Sequence, residues 1–188
     1  MTIRTRLTGE EFDSMCAGGA FENFPPGKIE LINGRIEIMS PPGPVHDDYA
    51  DYLNEWSTSS RTAEQFRIRV RNGFLAGDDQ RPEPDILWCD PGRYLDRKPL
   101  PREVHLLIEI SDSSINRDLG RKADVYAEAE VGKYWVVDIG RRCIHVLTDP
   151  VDGQYRDRRI FEPPQTLHPR CHPTAKLDLT DLFIDAAT

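Results

Sequence analysis

A mixed α/β domain spanning the chain, residues 1–188, is the fold class this sequence predicts, and three features predict it. Residues 28–39 (KIELINGRIEIM) alternate apolar and polar side chains on either side of Asn33-Gly34, the pattern of a hairpin closed by a two-residue type I′ turn. Tyr49, Leu53 and Trp56 recur at helical spacing and mark a packed helix over roughly 45–60. Residues 104–111 (VHLLIEIS) form an apolar run bounded by turn residues, as in a strand covered on both faces.

Thr8 followed by Glu11 is a capping box and opens a short helix over 9–17. The hairpin turn pairs residue 31 with 36 and 29 with 38, which gives an Ile/Leu core face. It also sets Glu30 opposite Glu37 on the other face, where like charges are unfavourable. Either a cation lies nearby or both glutamates are solvated. Prolines at 41, 42 and 44 break the chain before the helix. A second Asn-Gly pair, at 72–73 in QFRIRVRNGFLAG, predicts another hairpin, with Arg67, Arg69 and Arg71 on one face. That face is either a solvated edge or a phosphate contact. A strand opens at Pro84-Asp85, and the proline-rich stretch 91–101 is a loop. After the strand at 104–111, a helix runs over 117–130 and stops at Gly132. Strands follow at KYWVVDI, CIHVLT and QYRDRRIF, with turns at Gly140-Arg141 and Asp152-Gly153. KLDLTDLF supplies a last strand and turn.

Hydrophobic residues make up 38% and charged residues 30% of the chain, ordinary for a soluble protein. No apolar run reaches the roughly 20 residues of a membrane span, and the first residues lack a signal-peptide core, so a cytoplasmic location is expected. The net charge of −8 counts against a broad, non-specific nucleic-acid binder, though not against an enzyme whose carboxylates hold a cation. Cys16, Cys89, Cys143 and Cys171 are scattered and read as reduced thiols. Cys143-His145 and Cys171-His172 would make a zinc site only if the fold joined the two pairs.

Glu109 is the residue that does not fit its surroundings. Leu106, Ile108 and Ile110 share one strand face, and Leu107, Glu109 and Ser111 the other. A carboxylate there loses several kcal/mol of hydration unless a cation or hydrogen bonds replace it. A salt bridge, a wet strand end or a metal ion would each answer the cost. Asp85, Glu109 and Lys122 follow one another as acid, acid and base, and two such carboxylates suit a hard cation such as Mg²⁺. Asp118, Lys122 and Tyr126 share a helix face at spacings of four.

The ordered segments IELINGRIEIMSPPGPVH (29–46), PEPDI (82–86), LLIEISDSSINRDLGRKADVY (106–126), GKYWVVD (132–138) and LDLTDLF (177–183) resemble the Uma-type (Uma-two) family of restriction-endonuclease-like proteins, within the PD-(D/E)XK nuclease superfamily. The resemblance covers nearly the whole chain and implies an αβββαβ core, with a central mixed sheet flanked by helices. It implies that Asp85 and Glu109 bind the metal with the main-chain carbonyl of Ile110, and that Glu30 is the acidic residue from the N-terminal part of the core. The position two after Glu109 is Ser111 rather than the superfamily's lysine, and Lys122 stands in the place of a lysine moved to the helix. His46 also matches the pattern, either contacting phosphate or capping its helix. The expected activity is Mg²⁺- or Mn²⁺-dependent hydrolysis of DNA phosphodiesters by a homodimer, with Glu30, Asp85, Glu109 and Lys122 catalytic and Lys122 activating water. Arg67, Arg69 and Arg71 are the expected DNA contacts. The rival expectation is a catalytically inactive nuclease-fold protein that binds nucleic acid or a protein partner. A Cys/His zinc-binding structural protein is a third.

Overall fold

The computed structural model of the chain describes residues 6–24, 27–60 and 64–184. Helix α1 (Gly9–Ala17) opens with both hydrogen bonds of the Thr8/Glu11 capping box. Strands β1 (Lys28–Ile32) and β2 (Arg35–Met39) pair antiparallel in the expected register, with Glu30 opposite Glu37 and Leu31 opposite Ile36. Asn33 and Gly34 both have positive φ, as the tight turn requires. The expected Ile/Leu core face is only partly formed. Leu31 is fully buried, but Ile38 is 43% exposed, while Glu30 on the opposite face is fully buried. The hairpin stands apart from the main sheet, so its polar face is covered by neighbouring elements.

Helix α2 (Pro44–Ser60) buries Leu53 and Trp56. Strands β3 (Arg67–Val70), β4 (Ile86–Cys89), β5 (Val104–Ser111), β6 (Lys133–Asp138), β7 (Cys143–Val151) and β8 (Gln154–Phe161) make a six-stranded sheet in that order. Only β5 and β6 run parallel; every other neighbouring pair is antiparallel. Short strands β9 (Thr166–Leu167) and β10 (Leu177–Asp178) pair with each other before helix α5 (Leu179–Leu182).

The expected second hairpin is absent. Strand β3 pairs instead with β4, fifteen residues on, and the left-handed residue is Arg71 (φ 49°) rather than Asn72 or Gly73. Asn72 turns its side chain back onto the Val70 carbonyl at 2.7 Å, which competes with the turn conformation. The chain reverses later, in the bridge between Gly77 and Gln80.

The expected helix over 117–130 is broken into α3 (Ile115–Arg117), a π-helical stretch (Asp118–Lys122) and α4 (Ala123–Glu128), with Gly120 outside helical geometry (φ −104°, ψ −105°). The widened turn lies over the polar end of β5, a place where such bulges recur at functional sites.

The two faces of β5 belong to two cores. Leu106, Ile108 and Ile110 pack with Leu53, Trp56, Trp88 and Trp135 under α2. Leu107 packs with Tyr126, Tyr134 and Phe74 under α4. Trp88 anchors the first core, its ring tilted against Trp56 and Phe66 and its indole N–H on Ser57 Oγ at 3.0 Å. Replacing Trp88 with Ala removes that filling and leaves the Ser57 hydroxyl unpaired. The expected cost is about 3–5 kcal/mol, read as a lower urea midpoint with an unchanged slope.

Candidate active site

Glu109 meets its counter-charge from two elements. Lys122 Nζ donates to Glu109 Oε1 at 2.7 Å and lies 3.1 Å from Glu30 Oε1. The Tyr126 hydroxyl donates to the same Glu109 oxygen at 2.6 Å. Glu30, Glu109 and Lys122 are each at most 2% exposed. The carboxylates facing each other across the hairpin are also answered: Lys122 takes Glu30, and its chain neighbour Arg121 takes Glu37. Glu30 Oε1 further accepts the Glu83 N–H at 2.6 Å, while Glu30 Oε2 is buried with no hydrogen-bond partner among the described residues.

Asp85 lies just before β4, beside the end of β5. Its Oδ2 accepts the Ile110 N–H at 2.9 Å and stands 3.2 Å from His46 Nε2. Lys28 reaches into the middle of the group, with Nζ 3.5 Å from Asp85, 3.8 Å from Glu30 and 3.9 Å from Glu109 Oε2. Three carboxylates thus face two ammonium groups. Burial raises the Asp85 carboxyl pKa, but His46, Lys28 and the Ile110 N–H outweigh it and hold it well below the usual range. For Glu109 burial dominates, and its pKa is raised despite Lys122 and Lys28, with Asp85 and Asp118 pushing the same way. Burial alone would lower the Lys122 pKa, but Glu109, Glu30 and Asp118 reverse the direction and keep the ammonium charged.

A cleft of about 690 Å³ opens onto this group; Lys28, His46, Arg71, Asp85, Glu109 and Arg117 are among its lining residues. Lys122 and Glu30 are not among them, and stand behind it. The structure thus brings Asp85, Glu30, Glu109 and Lys122 together in one cluster, but Lys122 is not the ammonium that meets the cleft. That one is Lys28, which the sequence reading passed over. The signal was present, because residues two apart in a strand share a face and Lys28 is two before Glu30. His46 contacts Asp85 across 39 residues of chain.

The arginines expected to share a face are divided. Arg67 is exposed on the edge strand, and Arg69 lies over the Tyr94 ring at 5.4 Å. The positive φ of Arg71 ends the strand alternation, and Arg71 pairs with Asp47 at 2.5 Å beside the cleft. The two Cys/His pairs are not joined either. Cys171 packs against the core under α2 and His172 bonds the Ser60 carbonyl, whereas Cys143 lies opposite Asp138 on the other sheet face.

The buried pair gives a direct test of the cluster. Lys122→Met leaves Glu109 and Glu30 without their nearer, buried cation and is expected to cost about 3–5 kcal/mol in chemical denaturation. Adding Glu109→Gln to that variant recovers part of the loss, the mark of a shared ion pair rather than of lost packing.

Comparison with known proteins bears on the family and the fold. Residues 10–180 match the Uma2 family, described as "Putative restriction endonuclease". Among solved structures, the chain is similar to a crystal structure described as "a putative nuclease belonging to DUF820" from Anabaena variabilis, with a TM-score of 0.67 at 17% identity, covering 94% of this chain and 97% of that one. At that identity the likeness establishes the fold. A search of curated proteins finds no match.

Proposed function

The chain belongs to the Uma2 family, and we propose that its cleft hydrolyses DNA phosphodiester bonds with the help of a divalent metal ion. The observation that carries the reading is the convergence of Asp85, Glu109 and Glu30 on one point, with a buried Glu30 oxygen left partnerless beside it. An all-oxygen donor set fits Mg²⁺ or Mn²⁺, held by Asp85, Glu109 and the main-chain carbonyl of Ile110 with Glu30 behind them. Such an ion supplies Lewis-acid stabilisation of charge on phosphate and a more acidic water.

The chain's own groups divide the remaining work. His46 and the Ile110 N–H hold one oxygen of Asp85. Lys122 and Tyr126 hold Oε1 of Glu109, so that Oε2 is the oxygen on the Lys28 side. Lys122, only 1% exposed, acts through Glu109 as a positioning residue, which revises the direct contact with attacking water expected from the sequence. Lys28 is the ammonium that can meet phosphate. An ammonium and a divalent ion about 4 Å apart repel by roughly 8 kcal/mol at an effective dielectric constant of about 20. Lys28 would therefore yield its central place to such an ion, and its flexible stem would let Nζ reach the substrate. Arg71 and Arg117 at the rim add positive charge for the backbone of a nucleic acid. One site per chain cuts both strands of a duplex only as a homodimer or by successive nicks.

Nicking of supercoiled DNA is the direct test. The wild type is expected to cut in Mn²⁺ or Mg²⁺ and stop in a chelator, while Asp85→Asn and Glu109→Gln each lose at least about a hundredfold in rate. A second reading, a nuclease-fold protein that binds without cleaving, is favoured by the way Lys28 already neutralises the carboxylates. Binding of DNA without nicking in any divalent metal would select it.

Lys28→Met separates the two roles given to that residue. Calorimetric titration is expected to show tighter Mn²⁺ binding than in the wild type, because the competing ammonium is gone, while cleavage slows. Weaker metal binding would place Lys28 outside the cation's position.

A further inference from the structure

Strands β6 and β7 place a second set of donor atoms at the end of the sheet, clear of the cleft. In their antiparallel register Asp138 lies opposite Cys143 and Val136 opposite His145. Asp138, Cys143 and His145 therefore project from one face, the face that also carries Tyr134 and Leu147 in the core under α4. His145 Nε2 is 3.6 Å from Cys143 Sγ and 3.6 Å from Asp138 Oδ2, and the three donor atoms all lie within 4.8 Å of one another. The Arg141 N–H, donating to Asp138 Oδ1 at 2.9 Å, fixes the carboxylate and leaves Oδ2 toward the imidazole. Asp138 and Cys143 are buried, and the His145 side chain is only 13% exposed.

The spacing is the informative quantity. At 3.6 Å, the imidazole nitrogen stands beyond the roughly 2.7–3.2 Å of an N–H···O hydrogen bond to Asp138. Ligands at about 2.0–2.1 Å (nitrogen), 2.0–2.2 Å (oxygen) and 2.3 Å (sulfur) around a tetrahedral ion stand about 3.6 Å apart for N and S, and about 3.4 Å for N and O. The two distances from His145 are thus close to those found around an ion, and the third donor pair lies within 4.8 Å. A thiolate and an imidazole select a borderline-soft metal over Mg²⁺, which keeps to oxygen.

We propose that Asp138, Cys143 and His145 form a three-ligand Zn²⁺ site whose fourth position takes water. Binding converts the Cys143 thiol to thiolate and releases its proton to solvent. The ion ties the end of β6 to the start of β7 across the turn at 139–142. Ser111, two residues beyond Glu109, is the register partner of Asp138, so the tie also braces the strand that carries the cleft. The site stands independently of what the cleft does.

Cobalt substitution tests it. Titration of the metal-free protein with Co²⁺ is expected to give thiolate-to-metal charge-transfer absorption in the near ultraviolet, saturating at one ion per chain and displaced by Zn²⁺. Cobalt in the oxygen-lined cleft gives no such band. Cys143→Ser abolishes it, Cys171→Ser keeps it, and Asp138→Asn weakens the affinity by about tenfold or more. Absence of the band in the wild type, or its survival in Cys143→Ser, overturns the site. Should Cys143→Ser fail to fold, X-ray absorption of the wild type loaded with one Zn²⁺ decides instead. A shell containing one sulfur upholds the proposal, and a shell of light atoms alone overturns it.

Discussion

Desolvation of the Glu109 carboxylate is the constraint on which the surrounding structure depends. The residue sits inside a strand whose neighbours are packed on both faces, and it is only 2% exposed where the cleft reaches it. An isolated charge at that depth is too costly to keep, and Lys122 and Tyr126 together make it tolerable. Such a pair is weak support for stability, because removing both charges from water consumes most of their attraction. It defines one arrangement of the elements around it, however, since any shift that separates the pair exposes a bare charge to a medium that cannot solvate it.

The broken helix follows from that demand. Arg121 and Lys122 are adjacent in sequence, yet they reach the two facing glutamates of a hairpin outside the main sheet. The π-helical turn and the non-helical Gly120 fall within this segment. The hairpin, the helix and β5 are thereby held at one point by charge, while the two apolar cores on either side of the sheet hold the rest. Polar groups gather at one end of β4, β5 and β6. Asp85, Glu109, Ser111 and Asp138 all lie there, and Asp85 and Glu109 line the cleft. The division of the sheet into a dry middle and a charged end is what gives the fold a place for chemistry.

Much of this is legible in the sequence. Two-residue alternation and the Asn33-Gly34 turn specified the first hairpin to its register, because the turn geometry leaves no freedom in the pairing. Alternation in residues 104–111 assigned each side chain of β5 to its face, and the misfit of Glu109 on that pattern pointed to the site. The same logic failed at Asn72-Gly73. An Asn-Gly pair permits a turn without compelling one, and β3 found a better partner in β4.

By itself, then, the sequence determined the local elements wherever a short-range rule was strict, and through its ordered segments it determined the family. Only the tertiary structure decided which lysine faces the cleft. Lys28 and Lys122 are chemically alike, and their difference lies in what covers them: Lys122 is sealed behind two carboxylates and Lys28 is partly open. It also decided that Arg71 stands apart from Arg67 and Arg69, through one positive φ, and that Cys143 and His145 converge with Asp138 rather than with Cys171 and His172. Burial and cross-strand proximity are properties of the packed chain as a whole, set by contacts between residues far apart in sequence, and no local pattern carries them.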